Sequence, residues 1–140
     1  LGITTEDPNL ATMMQDKRLA KGKYLAQELE GFETVKVYGN KGSSTVLLCW
    51  GSNKGVCIEV AQNLGLKAVH PLVLSPFPEK QFQDAIKGVK RLICIENNAT
   101  GQLAGLLEAY DIRIDDKILK YDGRPFSLDE LEEKVKEKIK

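Results

Sequence analysis

Two short stretches of this 140-residue chain hold groups that could do chemistry. Gly51-Ser52-Asn53-Lys54-Gly55 stands between an apolar run and a helical pattern, where the free backbone N–H groups of a helix start can hold an anion. It matches neither G-x-G-x-x-G nor G-x-x-x-x-G-K-[ST], so the dinucleotide and P-loop fingerprints are missing. A tight strand-to-helix turn and a ligand or partner contact both stay open, with the turn the simpler reading. Glu96-Asn97-Asn98-Ala99-Thr100-Gly101-Gln102 follows a second apolar run, and loops at strand ends often carry function. These side chains suit either the capping of the next helix or a contact surface. No Gly-Asp-Gly precedes Asn97-Asn98, which rejects the thiamine-diphosphate magnesium motif.

Single residues add little reactivity. His70, the only histidine, cannot form a two-histidine metal site, and no Ser-His-Asp or Cys-His arrangement is visible around it. It is expected to be a core or edge histidine with its hydrogen bonds satisfied. Cys49, Cys57 and Cys94 are odd in number and form no C-x-x-C pair, which fits neither a disulfide framework nor a zinc or iron–sulfur ligand set. They are expected to be reduced packing residues. Trp50 could offer a stacking platform, but it completes an apolar run and reads as packing.

The elements that must position these residues follow from patterning. Residues 10–30 lack proline and repeat Leu10, Met13, Met14, Leu25 and Leu29 roughly at helical spacing, which predicts a helix ending near Gly31. A short strand over 34–38 and a turn cluster over 39–44 come next. Val46 to Trp50 is continuously apolar, as in a strand covered on both faces. Helix 55–64, strand 67–74, a Pro-bounded turn at 75–78, helix 79–87, strand 91–95 and helix 100–109 complete an alternation that predicts a parallel core with right-handed crossovers. A last strand over 117–121 and a turn over 122–125 precede a docked helix headed by Ser127. There, Ser127 and Glu130 have capping-box spacing, and charges alternating along 129–140 suit a solvated face.

The fold class expected is therefore α/β, a three-layer sandwich whose five-stranded sheet is mostly parallel with one antiparallel edge strand. Residues 1–34 would be linker and N-terminal helix, and 35–140 the α/β domain. Twenty basic and twenty acidic residues cancel, which disfavours nucleic acid and anionic membranes as partners. Without a membrane-length apolar run or a signal-peptide pattern, the expected setting is cytoplasmic. A first residue of Leu1 and a polar opening suggest a piece trimmed from a longer polypeptide, beginning in an interdomain linker. If strand 46–50 lies between 67–74 and 91–95, its connections leave in opposite directions. A crevice then opens between loops 51–55 and 96–100, where ligands and partners of open sheets favour binding.

Four strings, VLLCWGSNKG at 46–55, PLVLSPFPE at 71–79, RLICIENNATGQL at 91–103 and ILKYDGRPFS at 118–127, resemble in order and spacing the C-terminal region of 2-oxoacid:ferredoxin oxidoreductase α subunits. MMQDKRLAKGKYLAQEL resembles the helix preceding that domain. The resemblance implies a transketolase C-terminal-like domain of an enzyme that oxidatively decarboxylates a 2-oxo acid, such as 2-oxoglutarate or pyruvate, to acyl-CoA. Its electrons would pass to ferredoxin. Thiamine diphosphate, magnesium and iron–sulfur clusters would be held by other domains or subunits, with no cofactor, metal or catalytic residue here and no activity for the isolated domain. The expected role is architectural, against the other α-subunit domains, the β subunit and further subunits, with ferredoxin and coenzyme A met through the complex. Its contacts would be Trp50, Gly51, Ser52, Phe77, Glu96, Asn97, Asn98 and Gln102.

Two other readings compete. One is a free-standing flavodoxin-like module binding a nucleotide or coenzyme A in the crevice. The other keeps the fold but assigns it to a transketolase or a 2-oxo acid dehydrogenase β subunit. Glu-Asn-Asn-x-x-Gly-Gln and Asp-Gly-Arg-Pro-Phe argue for the ferredoxin-linked family.

Overall fold

A computed structural model describes residues 4–140, so the first three residues of the expected linker lie outside the described residues. Helix α1 (Pro8–Leu29) starts two residues earlier than patterning predicts, because the Asp7 carboxylate accepts from the N–H groups of Asn9 and Leu10 and Pro8 fills the first turn. Then come β1 (Val35–Gly39), β2 (Thr45–Cys49), a 3-10 turn (Gly51–Asn53), α2 (Lys54–Asn63) and β3 (Lys67–Pro71). The rest are α3 (Glu79–Ile86), β4 (Arg91–Glu96), α4 (Gln102–Glu108), β5 (Asp116–Leu119) and α5 (Leu128–Ile139).

The strands form one sheet in the order β1-β3-β2-β4-β5, with β1 antiparallel to β3 and every other pair parallel. Each crossover from a parallel strand to the next carries a helix. The β2 to β3 step runs one way across the sheet and the β3 to β4 step runs back, so helices of the same hand must fall on opposite faces. They do so: Leu47, Cys49, Ala68, Ile93, Ile95 and Ile118 pack with α2 and α5, while Val46, Leu48, Val69, Leu92 and Cys94 pack with α3 and α4. The α/β sandwich and its single antiparallel edge strand stand as the sequence predicts.

Several boundaries differ for local reasons. Gly39, expected in the turn, ends β1 opposite Lys67; its φ is +69°, and a Cβ there would lie 2.5 Å from the Leu66 carbonyl oxygen. β3 stops at Pro71 rather than at 74; Leu72 N still donates to the Thr34 carbonyl at 2.8 Å, and the chain then turns into the Ser75-Pro76-Phe77-Pro78 loop. Trp50 lies just past β2, and α4 starts at Gln102 because Gly101, at φ +70°, cannot continue a helix backward. On α5, Ser127 Oγ accepts from Glu130 N at 3.3 Å, but the Glu130 carboxylate turns to Lys120, leaving half a capping box. Leu131 and Val135 dock this helix onto the sheet. Helix α1 buries none of its side chains. No helix among the described residues is long and apolar enough to cross a membrane.

Candidate site at the strand exits

Because β2, β3, β4 and β5 run parallel, the four sequence strings singled out above all fall at the same end of the sheet, where those strands give way to loops. The end of β4 dominates that rim. Glu96 is completely buried, and a buried carboxylate is tolerated only when donors surround it. Oε2 accepts from Asn98 Nδ2 (2.7 Å), Leu103 N (2.9 Å) and Trp50 Nε1 (3.3 Å), and Oε1 from Ala104 N (3.1 Å) and the Cys94 thiol (3.3 Å). Burial raises the Glu96 pKa, but the N–H groups of Leu103, Asn98 and Ala104 and the thiol outweigh it and hold the group below the usual glutamate range. The carboxylate thus remains an anion inside the domain, satisfying the first turn of α4 and orienting the indole of Trp50.

Asn98 closes the same loop from outside. Its Oδ1 accepts from Thr100 N (3.1 Å), Gly101 N (2.7 Å) and Gln102 N (3.3 Å), a cap on the approach to α4. Capping therefore accounts for Glu96 and Asn98. Asn97 is exposed and reaches across to β5's exit, donating from Nδ2 to the Arg124 carbonyl at 3.4 Å. Gln102 is exposed on the first residue of α4.

On the facing loop, Gly51 takes φ +58° and Ser52 is exposed. Asn53 is buried and donates to the Ile95 carbonyl at 3.5 Å, stitching the start of α2 to β4. The 51–55 stretch is thus a tight turn held from beneath. Trp50 packs against the α3 and α4 side of the core, so packing is its observed role. Phe77 is buried away from the rim's open surface, with its ring 5.2 Å from Phe82 and 4.7 Å from Tyr110. Of the expected contact residues, Ser52 and Asn97 line one surface depression, Gly51 is exposed next to Ser52, Trp50 is half-buried, and Glu96 and Phe77 are buried within this chain.

Patterning missed the third wall. Ser52, Asn97, Lys120, Tyr121, Gly123, Arg124 and Pro125 line a shallow depression of about 480 Å³. Arg124 folds onto Asp122 through Nη2 (2.8 Å) and Nε (3.1 Å), and Lys120 bridges Asp122 (3.3 Å) and Glu130 (2.8 Å). The Arg124 backbone N–H, then its guanidinium, then Lys120, draw the Asp122 carboxyl down to about 2. The string Asp-Gly-Arg-Pro held the available signal, since it marks a turn with two charged side chains.

His70 corrects another expectation. It is buried at the end of β3 with Nδ1 unpaired, so it is a core histidine but not a satisfied one. Desolvation, then Lys54, lowers its pKa. All three cysteines are free and buried, as expected. Burial pushes the Cys94 thiol up, while a hydrogen bond with Cys49 and then burial push Cys57 up, which denies both the thiolate a nucleophile needs. Among the described residues, no group of three or more His, Cys, Asp or Glu side chains converges on a metal position.

No family model matches the chain. Curated relatives do. The chain is 32% identical over 142 aligned residues to subunit α of 2-oxoacid:ferredoxin oxidoreductase 1 from Sulfurisphaera tokodaii, covering 99% of this chain and 23% of that protein. It is 35% identical over 130 residues to subunit α of 2-oxoacid:ferredoxin oxidoreductase 2 from Aeropyrum pernix, covering 89% and 20%. The chain thus spans under a quarter of the length of these relatives. Among solved structures, a 2-oxoglutarate:ferredoxin oxidoreductase from Magnetococcus marinus, with 2-oxoglutarate, coenzyme A and succinyl-CoA bound, matches with a TM-score of 0.79 at 27% identity. That match covers 99% of this chain and 25% of that one. The α chain of a probable 2-oxoacid ferredoxin oxidoreductase from Thermoplasma acidophilum matches with a TM-score of 0.53 at 30% identity, over 77% of this chain and 98% of that one. Sequence and fold agree along the whole strand-and-helix order, and the chain belongs to the family of 2-oxoacid:ferredoxin oxidoreductase α subunits.

Proposed function

We propose that this chain is the architectural, transketolase C-terminal-like part of an α subunit whose complete enzyme oxidatively decarboxylates a 2-oxo acid to acyl-CoA and delivers electrons to ferredoxin. The observation that carries the architectural role is the Glu96 network. The buried carboxylate at the rim has its acceptors taken by this chain's own backbone and side chains, leaving Ser52, Asn97, Tyr121 and Arg124 at the surface. Such a surface positions neighbours.

Thiamine diphosphate with magnesium, and the iron–sulfur clusters, would contribute carbanion and electron-transfer chemistry in the whole enzyme. The residues here do not fit the clusters. Cluster ligands must be thiolates, whereas Cys49, Cys57 and Cys94 are buried within the layers on strands and a helix. That supports placing the clusters in other domains or subunits; placing thiamine diphosphate there too, with the β subunit, coenzyme A and ferredoxin engaged through the assembly, follows the family reading. A cytoplasmic setting belongs to the same proposal, supported by the three reduced thiols.

The test uses the complete enzyme: 2-oxo acid- and coenzyme A-dependent reduction of ferredoxin, measured beside subunit association. The full assembly should turn over and the isolated chain should not. Asn97→Ala with Asn98→Ala should weaken association or turnover. Activity in the isolated chain, or an assembly unchanged in both respects, would overturn the proposal. Saturable micromolar binding of a nucleotide or coenzyme A by the chain alone would favour a free-standing module instead.

A further inference from the structure

Helix α1 is 22 residues long and buries no side chain. Six of its large apolar residues are exposed, with Met13 at 56% and Tyr24 at 71%. A helix gains most of its stability in a protein by packing an apolar stripe, so one of this length without a packed face lacks its counterpart. By the 3.6-residue period, Leu10, Met13, Met14, Tyr24 and Leu25 share a face, with Lys17 and Lys21 midway along it. The helix's last turns meet the domain. There Ala26, Leu29 and Glu30 line a cleft of about 560 Å³ against residues 76–84, and by the same period Ala26 points away from the Leu10 face.

The match to the Magnetococcus marinus enzyme covers 99% of this chain, α1 included, within a chain about four times as long. The Sulfurisphaera tokodaii relative likewise matches over 99% of this chain, α1 included, and extends far beyond the matched part. We infer that the Leu10, Met13, Met14, Tyr24 and Leu25 face of α1 docks on the remaining part of the same α-subunit polypeptide, in an apolar groove whose middle presents carboxylates to Lys17 and Lys21. This rests on the family reading above. Two apolar ends with two lysines between them also set the register: sliding by one turn would place an ammonium in an apolar position, where its desolvation is uncompensated.

The experiment compares backbone amide exchange across residues 12–25 in the full-length α subunit and in this chain. The chain serves as a folded reference, because its own helices cover both faces of its sheet. Exchange in α1 should slow by at least about tenfold in the full-length subunit. Met13→Glu with Met14→Glu should restore fast exchange there while the strands stay protected, and Leu19→Glu, on the opposite face, should not. Equal exchange in both proteins would overturn the inference. So would protection that grows with the concentration of this chain alone, or protection that requires another subunit. Turnover assayed on the assembled enzyme separates the two claims: turnover with an unprotected α1 sinks the docking alone, and a protected α1 without turnover sinks the enzymatic reading alone.

Discussion

Glu96 and Met13 show opposite states of completion within one chain. Around Glu96, at the end of β4, a charge is buried and five donors from Trp50, Cys94, Asn98, Leu103 and Ala104 answer it. Around Met13, on α1, an apolar surface faces water with nothing against it. The rim has closed upon itself and can act as a rigid reference, whereas α1 is complementary to something not in this chain. Stability effects in the isolated chain should therefore concentrate at the rim, and effects at α1 should emerge only in the longer polypeptide.

The largest expected effect tests the closed half. Glu96→Ala leaves buried donors unsatisfied, and removing one side of a buried charge network costs about 3–5 kcal/mol. Urea unfolding of the chain should read a loss of that order; a loss below about 1 kcal/mol would mean that water reaches the network and the rim is not sealed. Asn98→Ala removes the loop cap and should cost about 1–2 kcal/mol by the same measurement.

A smaller, pH-dependent effect sharpens the contrast between the two buried ionisable groups. Both Glu96 and His70 have folded pKa values below their ordinary ones, so the unfolded chain binds more protons as each titrates and stability falls on acidification. For His70 the loss begins as pH drops through about 6.5, and for Glu96 it begins near pH 4. Thermal unfolding across that range should show a two-step decline, and His70→Gln should remove the upper step while leaving the lower. The smallest effect belongs to the open half. In this chain Met13→Ala with Met14→Ala should shift stability by less than about 0.5 kcal/mol, because those side chains are exposed; a larger loss would show that α1 already packs on the domain.

The sheet was legible because its signals are local. The runs containing Leu48, Val69 and Ile93 are apolar on both faces, which only a covered parallel strand explains, and the helices between them dictate the strand order. The rim was legible as a place but not as a mechanism. A glutamate closing an apolar strand reads as a surface charge, and its burial depends on a chain reversal that brings Leu103 N and Ala104 N back over it. No residue pattern states that return. For α1 the spacing predicted the helix and said nothing of its environment, since periodicity marks a face that wants covering without saying which molecule covers it. His70 failed for a related reason: a histidine amid apolar neighbours shows where the ring lies but not whether a partner reaches Nδ1.

The sealed thiols give this domain a built-in clock. Cys49, Cys57 and Cys94 have no exposed surface, and they sit on β2, α2 and β4 at the centre of the layers. An alkylating reagent must wait until those layers part, so its labelling rate reports how often the sandwich opens. Because Cys57 belongs to one face of the sheet and Cys94 to the other, the order in which they are modified would tell which layer lifts first.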